Sequence, residues 1–199
     1  MSRVERRERT REALVSAAER LFVGRGFHAS SVDEIAAEAG YTKGAVYSNF
    51  DSKEDLFFAV YERRAERAVV EAERIIDEAG PAAGLERLAS DSALRGDRDD
   101  GWLAVFFEFW AHVVRHPELR ERFSKIHDRA LAPFVAATER LEEEGVRLPA
   151  DAPGFNAAMF AMVSALTLER LTRPDVVDAA LGARMIQCVI DGLPHDEGL

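Results

Sequence analysis

Residues Thr42 to Asn49 (TKGAVYSN) put a polar or very small side chain at every position except Val46 and the aromatic Tyr47. On a helix entering a DNA major groove, Lys43 can donate to guanine O6 or N7, with Thr42 beside it at the helix start. Ala45 can touch a thymine methyl, and Tyr47, Ser48 and Asn49 can each donate to a phosphate or a base edge. Gly44 leaves the helix start unobstructed, so its backbone amides can approach a phosphate. Ser31 and Lys53 stand at neighbouring helix starts and add two candidate phosphate contacts, although Ser31 serves equally as a cap. A different chemistry is suggested by Glu108, His112 and His116, which could ligate a metal along one helix edge. Their outer pair is about 12 Å apart along a helix, too far to share an ion, so no metal site is expected. There is no nucleophile–base motif, glycine-rich phosphate loop or carboxylate–histidine repeat, so neither an enzyme nor a cofactor is expected.

The elements that must hold these residues read as helices, with almost no strand pattern. Leu14, Ala18, Leu21 and Phe22 form one stripe, ended by Gly24 and Gly26. Ser31 opens a second helix with Glu34 in capping-box position, and Val32, Ile35, Ala36 and Ala39 form its inner face. Gly40 stops it, and Thr42 caps a short third helix to about Phe50. Ala36 is small where two helices would cross, Gly40 suits a left-handed turn, and Val46 anchors the following helix, which is helix-turn-helix spacing. Ser52 and Asp55 start a fourth helix with no breaker before Gly80, about 40 Å long at 1.5 Å per residue. A fifth follows Gly80-Pro81 with Leu85, Leu88 and Leu94, and Asp97 to Gly101 reads as a polar loop. Further helices are expected over about 102–116, from Pro117 to Gly145 with a kink at Pro133, and over 152–171 and 174–192. The expected fold is all-α, with about nine helices.

Hydrophobic residues make up 47% of the 199 positions and charged residues 31%, which fits a globular chain rather than a disordered one. The longest nearly apolar run, Ala157 to Leu168, is too short to span a bilayer, no secretory signal is visible, and the single cysteine forbids an intrachain disulfide. A cytoplasmic protein with no membrane partner is expected. The net charge of −10 is unevenly spread: residues 1–50 carry +1 and the remainder −11. Arg3, Arg6, Arg7, Arg9 and Arg11 crowd the first positions, and read either as a solvated tail or as an arm reaching a phosphate or a narrow minor groove.

The stretch GFHASSVDEIAAEAGYTKGAVYSNFDSKEDLFFAV (Gly26 to Val60) resembles the DNA-binding domain of the tetracycline-repressor (TetR) family of transcriptional regulators. The match runs without a gap from about Arg9 to Tyr61 and includes LF…GF, IA…AG, TKG followed by Tyr47 and Phe50, and the SK…L start of the fourth helix. The family often has histidine near Ser48, where this chain departs from it. Beyond residue 61 the likeness lies in layout and in patterns such as EFW…RHPELRERF. The resemblance implies a helix-turn-helix head over 1–61 and a larger effector-binding and dimerisation domain over 62–199. It further implies a homodimer on a two-fold double-stranded DNA operator, most often as a repressor released by a small-molecule effector. A DNA-binding dimer with no effector is the alternative.

Trp102, Phe106, Phe107, Phe109 and Trp110 fall within nine residues and are core, the wall of an apolar effector cavity, or both. The candidate lining is Trp102, Phe106, Phe109 and Trp110, joined by Phe134, Met159 and Met162. On the last two helices Ala161, Ala165, Leu168, Leu181, Met185 and Val189 suit either a four-helix interface between two copies or packing within one.

Overall fold

Caps and breakers set most helix boundaries in the computed structural model, which describes residues 2–94 and 100–194. The described residues form nine helices and no strand: α1 (Arg3–Arg25), α2 (Val32–Ala39), α3 (Lys43–Tyr47), α4 (Lys53–Ala79), α5 (Pro81–Leu94), α6 (Asp100–Arg115), α7 (Pro117–Glu143), α8 (Ala152–Thr172) and α9 (Ala179–Asp191). The fold is therefore all-α, as expected. Ser31 and Glu34 form the reciprocal capping box that starts α2, and Gly40 ends it in a left-handed conformation at φ 74°. Thr42 caps α3 by accepting from the Ala45 amide, and Ser52 accepts from the Asp55 amide at the start of α4.

Three boundaries differ from expectation. Ser2 and Glu5 form a second capping box, so Arg3 to Arg11 are helical and belong to α1 rather than to a disordered tail. Helix α9 begins at Ala179 rather than at 174: Arg173 to Val177 form turns, and the Asp178 carboxylate then accepts from the Leu181 amide at 2.6 Å. The polar loop placed at Asp97 to Gly101 lies mostly outside the described residues, and Asp100 and Gly101 already belong to α6. Helix α7 is continuous through Pro133.

The chain forms two compact units, Met1–Ala65 with Gly101–Ile126, and Glu66–Asp100 with His127–Leu199. The first contains α1 to α3, the start of α4, α6 and the start of α7. Its core holds Leu14, Ala18, Phe22, Phe27, Ile35, Val46, Leu56, Phe57 and Phe109, all at most 1% exposed. Phe57 and Phe109 stack with ring centroids 3.8 Å apart, and Phe27 meets the edge of Phe109 at 4.9 Å. Packing therefore groups α6 with the head, whereas the sequence motifs divide the chain near residue 61. In the second unit Ala72, Ile75, Ile76, Leu88 and Ala137 form a core against which Leu85 and Phe134 pack. Helices α5, α8 and α9 pack on one another there, and the buried Asn156 donates to Thr138 Oγ1 at 2.7 Å.

Candidate nucleic-acid interface

Helix α3 has one turn and a half, too little to stand alone, so its orientation comes from what surrounds it. The Tyr41 amide donates to Ala36 O at 2.9 Å and the Gly40 amide to Ala37 O at 3.1 Å, which fixes the turn out of α2. Val46 and Phe50 are buried, at 1% and 4% exposed, and anchor the helix to the core of the first unit. The opposite face is left to solvent: Thr42, Lys43, Gly44, Tyr47 and Ser48 are exposed, and Ala45 and Asn49 are half-buried. Tyr47, at 51% exposed, is a large side chain that the fold itself does not use.

The individual donors differ in how free they are. Lys43 Nζ lies 2.9 Å from Asp33 Oδ2 in an exposed pair, and that hydrogen bond and charge hold its ammonium above the ordinary lysine value. Lys43 is thus fully charged, and the pair is open enough to be exchanged for a base edge. A Cβ built on Gly44 would meet only Thr42 Oγ1, at an ordinary 3.8 Å, and its φ is not in the left-handed region, so nothing inside the fold requires glycine there. Ser48 donates to Gly44 O and Asn49 Nδ2 to Ala45 O, both at 2.8 Å, which leaves Asn49 Oδ1 as a buried acceptor without a partner among the described residues. Ser31 accepts from the Glu34 amide and donates to its carboxylate while staying exposed. Lys53 points inward: Nζ donates to Phe27 O at 3.0 Å and Ser30 O at 3.1 Å and sits 4.4 Å over the Phe27 ring.

Several contacts that support this face were not anticipated. The Glu108 carboxylate accepts from the Phe27 amide at 2.8 Å and the His28 amide at 2.7 Å, and so clasps the α1–α2 loop to α6. Gly26, at φ 92°, makes room for the clasp: a Cβ there would lie 2.7 Å from Glu108 Oε2. Arg122 pairs with Asp55 at the start of α4, and Arg63 and Arg64 both pair with the mostly buried Glu19. The Arg11 guanidinium lies 4.5 Å over the Phe50 ring. Only the glycine at position 26 hinted at any of these, because each partner lies far away in the sequence.

With Glu108 committed to two amides, the metal-ligand candidates along α6 take other roles. His112 Nε2 lies 3.3 Å from Glu54 Oε1, and burial followed by the neighbouring His116 lowers its pKa. No group of three or more His, Cys, Asp and Glu among the described residues could hold a metal ion.

The candidate effector and interface residues fall in both units. In the first, Phe106 and Phe109 are core, at 3% and 0% exposed, while Trp102 and Trp110 are half-buried, with Trp102 stacked on Phe57 at 5.6 Å. In the second, Phe134, Met159 and Met162 are half-buried. Of the candidate interface residues, Ala161, Ala165 and Met185 are exposed and Leu168, Leu181 and Val189 half-buried; none is enclosed by its own chain. A shallow cleft of about 10 Å³ between α8 and α9 is lined by Val163, Leu166, Thr167, Arg170, Asp178, Gly182 and Ile186, and includes none of the candidate lining residues.

A capped short helix, turned out of its predecessor by a left-handed glycine and presenting one polar face, defines a helix-turn-helix DNA-binding protein. Residues 14–60 match the family profile described as bacterial regulatory proteins, tetR family, and residues 81–195 match the C-terminal region of BetI-type transcriptional repressors. The chain belongs to the TetR family of transcriptional regulators. It is 29% identical to the HTH-type transcriptional repressor BepR of Brucella suis biovar 1, over 92% of this chain and 91% of that one. It is 43% identical to the HTH-type transcriptional activator FasR of Mycolicibacterium smegmatis, over 72% of this chain and 57% of that one. Its fold is shared with a transcriptional regulator from Saccharomonospora viridis solved in complex with choline, at a TM-score of 0.77 and 19% identity, covering 94% of this chain and 100% of that one. No helix among the described residues is long and apolar enough to cross a membrane.

Proposed function

We propose that this chain is a ligand-responsive repressor that binds a two-fold DNA operator as a homodimer and releases it when a small, largely apolar effector binds. The observation that carries the reading is the division of α3 into a buried face, Val46 with Phe50, and a solvent face of Thr42, Lys43, Gly44, Tyr47 and Ser48. Lys43 with Thr42 reads bases, Ala45 meets a thymine methyl, and Gly44 lets the backbone approach a phosphate. Tyr47, Ser48 and Ser31 hold the sugar-phosphate backbone. Asn49 contributes chiefly by closing the end of α3 on Ala45 O, and Lys53 by tying the start of α4 to Phe27 O and Ser30 O, with their remaining hydrogen-bonding capacity available to DNA.

Repression is supported by the BetI-type repressor profile over residues 81–195 and by a repressor relative matched over nearly its whole length. Residues 1–61 serve as the reading head and 62–199 carry effector response and dimerisation. Phe134, Met159 and Met162 are the better effector candidates, because Phe106 and Phe109 are already filled in as core. Helix α8 is largely apolar before Glu169, and Ala161, Ala165 and Met185 are exposed while Leu168, Leu181 and Val189 are only half-buried, which supports pairing with a second copy. An effector acts by favouring a dimer state whose two heads no longer match the operator, to the extent that it binds that state more tightly.

The test is fluorescence anisotropy with a duplex from the DNA immediately upstream of the protein's own coding sequence, against a shuffled duplex, over a range of salt. A preference of about a thousandfold is expected, falling roughly ten- to a hundredfold in Lys43→Ala, with melting unchanged. Absence of binding to either duplex even at low salt would overturn the reading. A melting screen with small apolar compounds then separates an effector-responsive regulator from a dimer that has none.

A further inference from the structure

The first three turns of α1 carry a charge pattern that the fold does not use. At about 100° per residue, Arg3, Arg6, Arg7 and Arg11 fall within about 140° of the helix circumference, on the side that Leu14, Ala17 and Ala18 turn toward the core. Glu5, Glu8 and Glu12, with Arg9, occupy the opposite half. The apolar stripe of α1 is thus continued outward by arginines along the row Arg3, Arg7, Arg11, Leu14, Ala18.

That face has a direction. Arg11 sits with its guanidinium 4.5 Å over the ring of Phe50, three residues beyond the end of α3, so the arginine row runs on the side of α1 where the recognition helix ends. The side chains from Arg3 to Arg9 are exposed. Arg3, Arg6, Arg7 and Arg9 form no ion pair among the described residues, whereas Arg20, Arg25, Lys43, Arg63 and Arg64 of the same unit each hold a carboxylate. Three guanidiniums without a carboxylate partner, those of Arg3, Arg6 and Arg7, on the side of the helix that also carries Arg11 and next to the element that reads bases, match a polyanion with closely spaced charges.

We propose that this arginine face lies along the DNA phosphate backbone beside the groove that α3 enters, so that Arg3 and Arg7 add sequence-independent affinity to the base reading of α3. The inference rests on the DNA-binding reading above and extends the interface by a full helix segment. The contacts carry no base information, so their signature is electrostatic.

The experiment is anisotropy titration of the full chain with the upstream and shuffled duplexes over a salt series. It compares the wild type with R3A/R7A, and the single variants R7A and R9A with each other. All the substitutions are at exposed helix positions where alanine favours the helix, and circular dichroism checks that α1 persists. R3A/R7A is expected to lower the slope of log K against log salt by about 1.8, so that its deficit shrinks about twelvefold between 50 mM and 200 mM salt, while the preference for the upstream duplex is kept. R7A should lower the slope by about 0.9 and R9A by much less, although both remove one charge. An unchanged slope in R3A/R7A alongside intact specific binding overturns the arginine face and leaves the regulator reading standing. Equal effects of R7A and R9A show that only net charge matters, and also overturn it. Failure of the wild type to bind either duplex overturns the regulator reading and this proposal with it.

Discussion

Replacing Glu108 with alanine removes the side-chain clasp that joins the Phe27 and His28 amides to α6. The Phe27 amide is part-buried beside a ring that is 1% exposed, so losing its charged acceptor strands a donor where water enters poorly. A hydrogen bond of that kind contributes about 1.5–3 kcal/mol, whereas the exposed His28 amide can turn to water at little cost. The variant should therefore lose about 2–3 kcal/mol. At about 2–4 °C per kcal/mol for a chain of this length, that lowers Tm by about 4–12 °C. Glu108→Gln keeps one acceptor and should show about half the loss. The collision of a Gly26 Cβ with Glu108 Oε2 at 2.7 Å adds an internal check. Gly26→Ala suffers both from its φ of 92° and from the carboxylate, so its cost should fall by about 0.5 kcal/mol or more once Glu108 is gone. The assay is thermal melting by near-ultraviolet circular dichroism, with hydrogen exchange read at the Phe27 amide. A Glu108→Ala variant that melts within about 1 °C of the parent, or strict additivity of the two substitutions, would refute the clasp.

Three further outcomes are expected. Lys53→Met keeps the aliphatic stem but loses both bonds to Phe27 O and Ser30 O, which should cost about 1–2 kcal/mol in melting; an unchanged Tm would mean that Lys53 does not fix the start of α4. Burial depresses the pKa of His127, and burial with His116 depresses that of His112, so the unfolded chain takes up protons before the folded one does. Stability should fall as pH drops below the ordinary histidine value of 6.5 and continue to fall down to the folded values; His127→Gln should flatten the curve, and a parent curve flat between pH 7 and 5 would contradict the burial. Met185→Lys, on an exposed part of α9, should leave folding intact and shift sedimentation from dimer to monomer; a wild type that is monomeric at micromolar concentration removes the interface reading.

What could be read in the sequence was mostly what is decided locally. The box of Ser31 with Glu34, the stop at Gly40 and the cap at Thr42 each close within a few residues, and the structure places them as expected. Ser2 with Glu5 is the same local pattern, but the density of arginine around it argued for a tail or an arm and hid a helix start. Pro174 was read as a first helical residue, although Asp178 was free to cap four residues further on. The aromatics of α6 posed a different problem. Periodicity showed that they share a face, but only the fold shows that Phe109 spends that face on Phe57 and Phe27. Glu108 was legible as a charged residue on the edge of that helix; its partners, two backbone amides some eighty positions earlier, leave no mark in side-chain chemistry.

The packing of Phe109 between Phe27 and Phe57 bears on how such regulators can be recombined. The DNA-reading part is not one continuous stretch: it is completed by a helix encoded some forty residues after the motif ends. A hybrid joined at residue 61 would receive a reading head with one wall supplied by a stranger's sixth helix, along with an ill-fitting acceptor for the Phe27 amide. Exchange between relatives should succeed where residues 101–126 travel together with 1–65, and the junctions that conserve DNA specificity are then three rather than one. Gene fusions that ignore the two later junctions would fail by misfolding, before operator choice was ever tested.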